Sequence, residues 1–290
     1  MNTIVPAVAL GVGVLLAGSL PWGALLAPLN LRFVTAVPWA VLPMAAYLWI
    51  YWKYIGGAIG SRDTSDWRRQ HLRANFVSGD VWGMALVTGL VGFGALLAFV
   101  LVMSRMVTLP AAPSVTVSGD MPSITMFLLL IMASVVAGVT EEAGFRGYMQ
   151  GPIERRYGLT AGIVISGVVF GLLHFPNHRD QVLTMLPYYV AVSAVYGGIT
   201  AATNSILPSL FLHTGGDIWS LTRLWLTGRP EWEIATQPRP LVWETGVDTG
   251  FVVALVLLLS LAAATAWLCF QTARFARAQV GSTRSTTAGG

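Results

Sequence analysis

Residues 123–146 read SITMFLLLIMASVVAGVTEEAGFR. Eighteen uncharged residues, Ser123 to Thr140, lead directly into Glu141 and Glu142, and Arg146 stands four positions beyond the second acid. A run of that length and polarity is suited to crossing a bilayer core as a helix. A charge at membrane depth costs about 2.5–3.5 kcal/mol on insertion scales, so a carboxylate there is a functional candidate once a partner is found for it. Glu142 and Arg146 are i,i+4 with the acid N-terminal, the favourable order for a helical ion pair. Glu141 lies about 100° around an α-helix from Glu142 and need not share that partner. One carboxylate is then held by the guanidinium while the other faces a cavity.

The rest of the chain is of the same kind. Of 290 residues, 55% are hydrophobic and 10% charged, and the mean hydropathy is +0.67. A soluble domain carries about a quarter charged residues, so the composition points to the bilayer. Seventeen basic residues against thirteen acidic ones suit anionic lipid headgroups, and no Lys/Arg cluster is dense enough to suggest nucleic acid. The single Cys269 excludes an internal disulfide and a cysteine metal cluster.

Apolar windows of spanning length recur at about 4–29, 34–55, 80–104, 122–141, 160–176, 182–203, 205–226 and 248–270. They predict an all-α integral membrane protein, a bundle of about eight transmembrane helices in one polytopic domain over 1–278. The apolar N-terminus lacks a basic flank and is expected to be a retained helix. An even number of spans puts both termini on one side. Loop by loop, Lys and Arg number eleven on that side and six on the other, which predicts cytoplasmic termini. The segment Ser61–Asp80 is expected to be a membrane-surface connector: Ser65 or Asp66 caps a short helix, Trp67 sits in the interface, Arg residues meet phosphates, and His71 is solvated. The stretch Thr227–Val247, with Trp232 and Trp243, has the character of an aromatic interfacial segment. The small, polar tail 279–290 is expected to be disordered. Gly11, Gly13 and Gly18, and Gly89, Gly92 and Gly94, suit close helix packing.

Beyond the acid pair, two further polar constellations fall in the windows. Phe170 and His174 are i,i+4, and so are His213 and Asp217, which therefore share one helix face. If Arg155–Gly158 is a turn, Glu141 and His174 lie seventeen and sixteen residues from it, about 25 Å in an α-helix, and reach one level in an antiparallel pair. A lone intramembrane His is usually a helix–helix hydrogen bond. Two of them with matched neighbours and an acid pair point instead to a site. His178, among Pro176, Asn177, Arg179 and Asp180, is expected to be a solvated loop residue.

In order along the chain, Glu141-Glu142 with Arg146, Phe170 with His174, and His213 with Asp217 resemble the CAAX-protease and bacteriocin-processing family. That family comprises intramembrane glutamate peptidases, among them the type II CAAX prenyl endopeptidases. Phe145-Arg146-Gly147 and Phe170-Gly171 are similar to it too, and the resemblance extends over about Met121 to Trp225. It implies a peptide hydrolase in which Glu141 activates water with His174 assisting, His213 and Asp217 stabilise the oxyanion, and Glu142, Arg146 and Phe170 support. An ionised Asp217 would repel an oxyanion. Either it is protonated or it orients His213, and the i,i+4 spacing favours the second.

The resemblance implies a peptide or membrane-anchored protein as substrate, the lipid bilayer as surroundings and no cofactor, and the Arg-rich, loop-poor chain is expected in a bacterial plasma membrane. Two alternatives use the same residues. One is a zinc protease with Glu141, His174 and His213 as ligands, although no His-Glu-x-x-His helix is present. The other is a non-catalytic scaffold or immunity protein. A proton-coupled transporter is disfavoured by the absence of inverted repeats.

Overall fold

In a computed structural model, the structure describes residues 3–109, 121–175, 182–228 and 239–287, with side chains as far as residue 279. Every regular element among the described residues is helical. A helix lies in each of the eight windows. These are α1 (Ile4–Arg32), α2 (Val41–Ile55), α4 (Gly79–Met106), α5 (Ser123–Tyr157), α6 (Leu159–Leu173), α7 (Val182–Thr203), α8 (Leu207–Thr227) and α10 (Thr249–Thr287). Two short helices, α3 (Ser65–Leu72) and α9 (Val242–Thr245), stand between them.

Five helices, α1, α4, α5, α7 and α10, are long and apolar enough to cross a membrane. α2 and α6 have 15 residues each, fewer than the roughly 20 that span a bilayer core. α8 has 21 but includes His213, Asp217 and Arg223. The protein is an all-α membrane protein in which five of the eight windows carry a full-length span. His178 with the segment Pro176–Asp180, and Trp232, lie outside the described residues. α10 takes in the polar stretch from Gln279 to Thr287 as helix, where a disordered tail was expected.

The chain divides into two compact units. The first comprises Met1–Ala74, Ala112–Gly158 and Leu210–Glu233, hence α1, α2, α3, α5 and α8 from Leu210 onward. The second comprises Asn75–Ala111, Leu159–Ser209 and Ile234–Gly290, with α4, α6, α7, α9 and α10.

In the first unit, α1 packs against α5 through glycine. A Cβ on Gly11 would stand 2.7 Å from both Gly144 O and Met149 Cβ, and one on Gly144 would stand 2.7 Å from Gly11 O. A Cβ on Gly18 would overlap Thr140 Cγ2. Close backbone approach of this kind drives helix association in lipid, where burial of apolar surface offers no gain. Gly11 and Gly18 thus serve the packing expected of them, whereas Gly13 faces open space.

α5 departs from the uniform α-helix that the spacing implied. Ser123–Glu141 and Gly151–Tyr157 are α-helical, but Glu142–Gln150 is a π-helix, buried at all nine positions. A π-turn holds more residues than the 3.6 of an α-turn and survives mainly where neighbours fit it, often at functional sites. Here α1 meets Gly144, and the carbonyls of His71 and Leu72 stand 3.0 Å from where a Gly147 Cβ would be. The Tyr148 hydroxyl donates to Ile55 O at 2.6 Å. The depth reckoned for Glu141 assumed an α-helical rise throughout and does not hold across these nine residues.

α3 is built differently from the expected connector. Its Arg68 is buried, donating to the carbonyls of Ile59 (2.9 Å) and Ser61 (3.0 Å), so protein rather than phosphate occupies it. The His71 ring stacks on Trp67 with centroids 4.0 Å apart. His71 is half-buried, not fully solvated, and burial lowers its imidazole pKa below the ordinary value against the pull of the Trp67 carbonyl. Ser65 donates to Gly57 O at 2.5 Å instead of capping the helix, and Arg73 closes it in the left-handed region (φ 55°).

The second unit is organised by contacts of α4 with α7 and α10. A Cβ on Gly92 would stand 2.7 Å from Val195 Cγ1, and the Phe93 and Tyr196 rings meet edge to face at 5.9 Å. Arg105 at the end of α4 donates to Asp248 Oδ2 (2.6 Å) and Pro240 O (2.8 Å), tying the approach to α10. α6 and α7 also pack within this unit, and they carry His174.

Candidate active site

α5 and α8 bring most of the motif together inside the first unit. Their approach depends on Gly138, one turn before the acid pair, because a Cβ there would overlap Thr214 Oγ1. The missing side chain lets Thr214 sit on the α5 backbone and delivers its neighbour His213 to Glu142. His213 Nδ1 is 2.8 Å from Glu142 Oε1. The same oxygen is 3.5 Å from Arg146 Nη1, and both of those side chains are fully buried. The i,i+4 ion pair therefore forms within the π-helix, and Glu142 serves two cations or donors at once.

A carboxylate oxygen accepts, so Nδ1–H is committed to Glu142 in either protonation state of the ring. Nε2 is left to face the other two acids, with Glu141 Oε2 and Asp217 Oδ2 each 3.6 Å away. This corrects the role expected of Asp217. The carboxylate that orients His213 is Glu142, and Asp217 flanks the opposite nitrogen beyond hydrogen-bond length. An i,i+4 spacing puts two side chains on one face, but a partner on another helix has better geometry.

Exposure separates the acids. The Glu142 side chain is fully buried, whereas Glu141 is 19% and Asp217 32% exposed. Glu141 and Asp217 are accessible to a water molecule or substrate, and Glu142 is enclosed. A carboxylate beside a ring nitrogen that is fixed from behind is an arrangement suited to moving a proton.

His174 and Phe170 belong to the second unit, on and just beyond α6. The His174 ring meets Phe170 edge to face at 4.6 Å and lies against Tyr189 of α7 at 4.5 Å with a 31° tilt. Its Nδ1 is 2.8 Å from Phe170 O. Tyr189 belongs to no motif spacing, and neither does Gly138 with Thr214. Each is a contact between helices, which periodicity along one helix does not encode. Of the three residues a zinc reading would use, Glu141 and His213 share the first unit and His174 lies in the second. Among the described residues, no three His, Cys, Asp or Glu side chains are grouped to hold a metal ion.

Gly138→Val is expected to push α8 away from α5 and break the His213–Glu142 contact. Overpacking of this sort costs about 1–3 kcal/mol, with loss of any activity that needs His213. Thermal unfolding in detergent and turnover measure the two, and unchanged values in both would show that α8 approaches α5 by other means.

Residues 123–219 match the model of a family described as type II CAAX prenyl endopeptidase Rce1-like. No curated protein and no solved structure matches the chain. The matched segment runs from the start of α5 to Trp219, two residues past Asp217, and so takes in every motif residue. Over this segment the chain is similar to the type II CAAX prenyl endopeptidase family, and its apolar spans suit a membrane-embedded protein.

Proposed function

We propose that the chain is an endopeptidase that cleaves a membrane-associated peptide or protein, with Glu141 as the general base. The observation that carries this is the fixing of His213 by Glu142, which turns Nε2 toward the partly exposed Glu141 carboxylate. In the reaction, Glu141 takes a proton from water as the oxygen attacks the scissile carbonyl, and the family resemblance gives His174 an assisting role. His213, as imidazolium, donates from Nε2 to the carbonyl oxygen as it becomes an oxyanion, in the manner of a preorganised donor. When the C–N bond breaks, the proton held by Glu141 passes to the departing amine. Arg146 holds Glu142 in place as the acceptor from Nδ1. The Lys/Arg asymmetry supports cytoplasmic termini, in keeping with a bacterial plasma membrane.

Asp217 need not be ionised for this chemistry. Asp217→Asn keeps an oxygen near Nε2 and is expected to retain kcat within about tenfold. Glu142→Gln removes the charge that fixes the ring and is expected to cost more, since loss of one oxyanion donor costs about 10²–10³-fold. The reverse ranking on one peptide would return the orienting role to Asp217.

The test uses purified protein in liposomes with a quenched library of hydrophobic peptides, with and without a strong chelator. Chelator-resistant cleavage supports the glutamate-base mechanism. Cleavage lost on chelation and restored by zinc would transfer the activity to a metal. Absence of cleavage across the library and across added membrane-protein extracts would favour a scaffold.

A further inference from the structure

We propose that Tyr189 is a positioning residue for His174, holding its imidazole in the tautomer that leaves Nε2 basic; its bearing on catalysis rests on the peptidase reading above. The end of α6 sets up the arrangement. At the last turn the backbone N–H of His174 donates to Gly171 O, three residues back, at 3.0 Å. A continued α-helix would have used the carbonyl four residues back, which is that of Phe170. The side chain takes that place, with Nδ1 2.8 Å from Phe170 O. A carbonyl only accepts, so Nδ1 carries the hydrogen, and the neutral ring has its lone pair on Nε2.

A hydrogen bond to a helix end does not by itself hold a ring against rotation about its side-chain bonds. The second contact comes from α7. Two glycines one turn apart, Gly167 and Gly171, open a groove along α6. A Cβ on Gly167 would stand 2.9 Å from Val190 Cα, and one on Gly171 would stand 2.7 Å from Leu186 Cδ1 and 3.1 Å from Tyr189 Cβ. This is the small-xxx-small arrangement that lets membrane helices approach closely. It seats the buried Tyr189 ring against both residues of the motif, 5.3 Å from Phe170 edge to face and 4.5 Å from His174. The imidazole is bracketed by Phe170 on its own helix and by Tyr189 on the next. Ring pairs of this kind add a preference beyond their burial, enough to favour one ring orientation severalfold. The contact needs an aromatic face rather than the hydroxyl, so phenylalanine is expected to replace tyrosine and an aliphatic residue is not.

The experiment uses full-length protein with ¹⁵N-labelled histidine rings in detergent micelles, the His174 signals being assigned by their loss in His174→Asn. Wild type and Tyr189→Phe are expected to show a protonated Nδ1 and an unprotonated Nε2 at neutral pH. In Tyr189→Leu the two nitrogens are expected to move toward averaged values. Its kcat on a cleaved library peptide is expected to fall on the order of tenfold or more with little change in KM, because the loss is one of orientation. Tyr189→Met, which fills the core flexibly, replaces Tyr189→Leu if the latter does not fold. Unchanged nitrogen signals in the folded aliphatic variant overturn the proposal, whatever happens to activity. Failure of Tyr189→Phe to restore the wild-type pattern also overturns it, since the hydroxyl would then be what matters. An altered His174 pattern in a protein that cleaves nothing even as wild type would support the positioning role and remove the peptidase reading.

Discussion

Arg146→Ala is expected to destabilise the protein by about 3–5 kcal/mol, the usual cost of removing one partner from a buried ion pair. Both members are fully buried, and the Glu142 oxygen that meets Arg146 also accepts from His213. Without the guanidinium, Glu142 is a buried carboxylate that has lost its ion-pair partner, inside a π-helix that depends on its neighbours to persist. The consequence extends beyond stability, because a displaced Glu142 releases the His213 ring. A lowered unfolding midpoint in detergent, with turnover lost, is the expected result. A wild-type midpoint would mean that the pair is hydrated in the membrane. Charge and structure are separated by the double variant Glu142→Gln, Arg146→Met. Replacing a buried pair by neutral groups of similar volume is often close to neutral in stability. Most of the midpoint is therefore expected to return without the activity.

Glu141→Gln is expected to lower turnover on the order of 10²–10⁴-fold, the range attributed to general-base catalysis, with the unfolding midpoint unchanged. The replacement is isosteric, and the side chain is partly exposed. It removes one of three carboxylates around His213, so no pairing that the fold relies on is broken. The variant should bind peptide and fail to cleave it. Cleavage at the wild-type rate by Glu141→Gln would exclude Glu141 as the base and leave Asp217, the other exposed acid at Nε2, as the group to test next.

Much of this arrangement is legible in the residues alone. The membrane class follows from composition and from uncharged runs, because the bilayer imposes its demand on each segment separately. Helices therefore fall where the windows predict them, and the family resemblance, carried by residue type and order, holds across residues 123–219. The Glu142–Arg146 pair is equally local. Its spacing is short enough to survive the change from α- to π-helix, since the two side chains still lie one turn apart.

What failed from sequence was decided by contacts between helices. The π-helix at Glu142–Gln150 arises where Gly11, the carbonyls at the end of α3 and the Tyr148 hydroxyl meet one stretch of α5, and nine residues in isolation carry no sign of it. The i,i+4 rule assigned Asp217 to His213, yet the ring is held from another helix by Glu142, because Gly138 admits Thr214 and brings α8 closer than the spacing implies. Arg68 and His71 were expected at the surface for their polarity but are withdrawn by carbonyls and rings of their own unit. The chain by itself determined that it is helical, suited to the membrane and furnished with acids and histidines in the order of that family's motifs. Which carboxylate holds which ring was decided only by tertiary packing, because helix–helix approach in lipid is set by small residues and polar partners far apart in sequence.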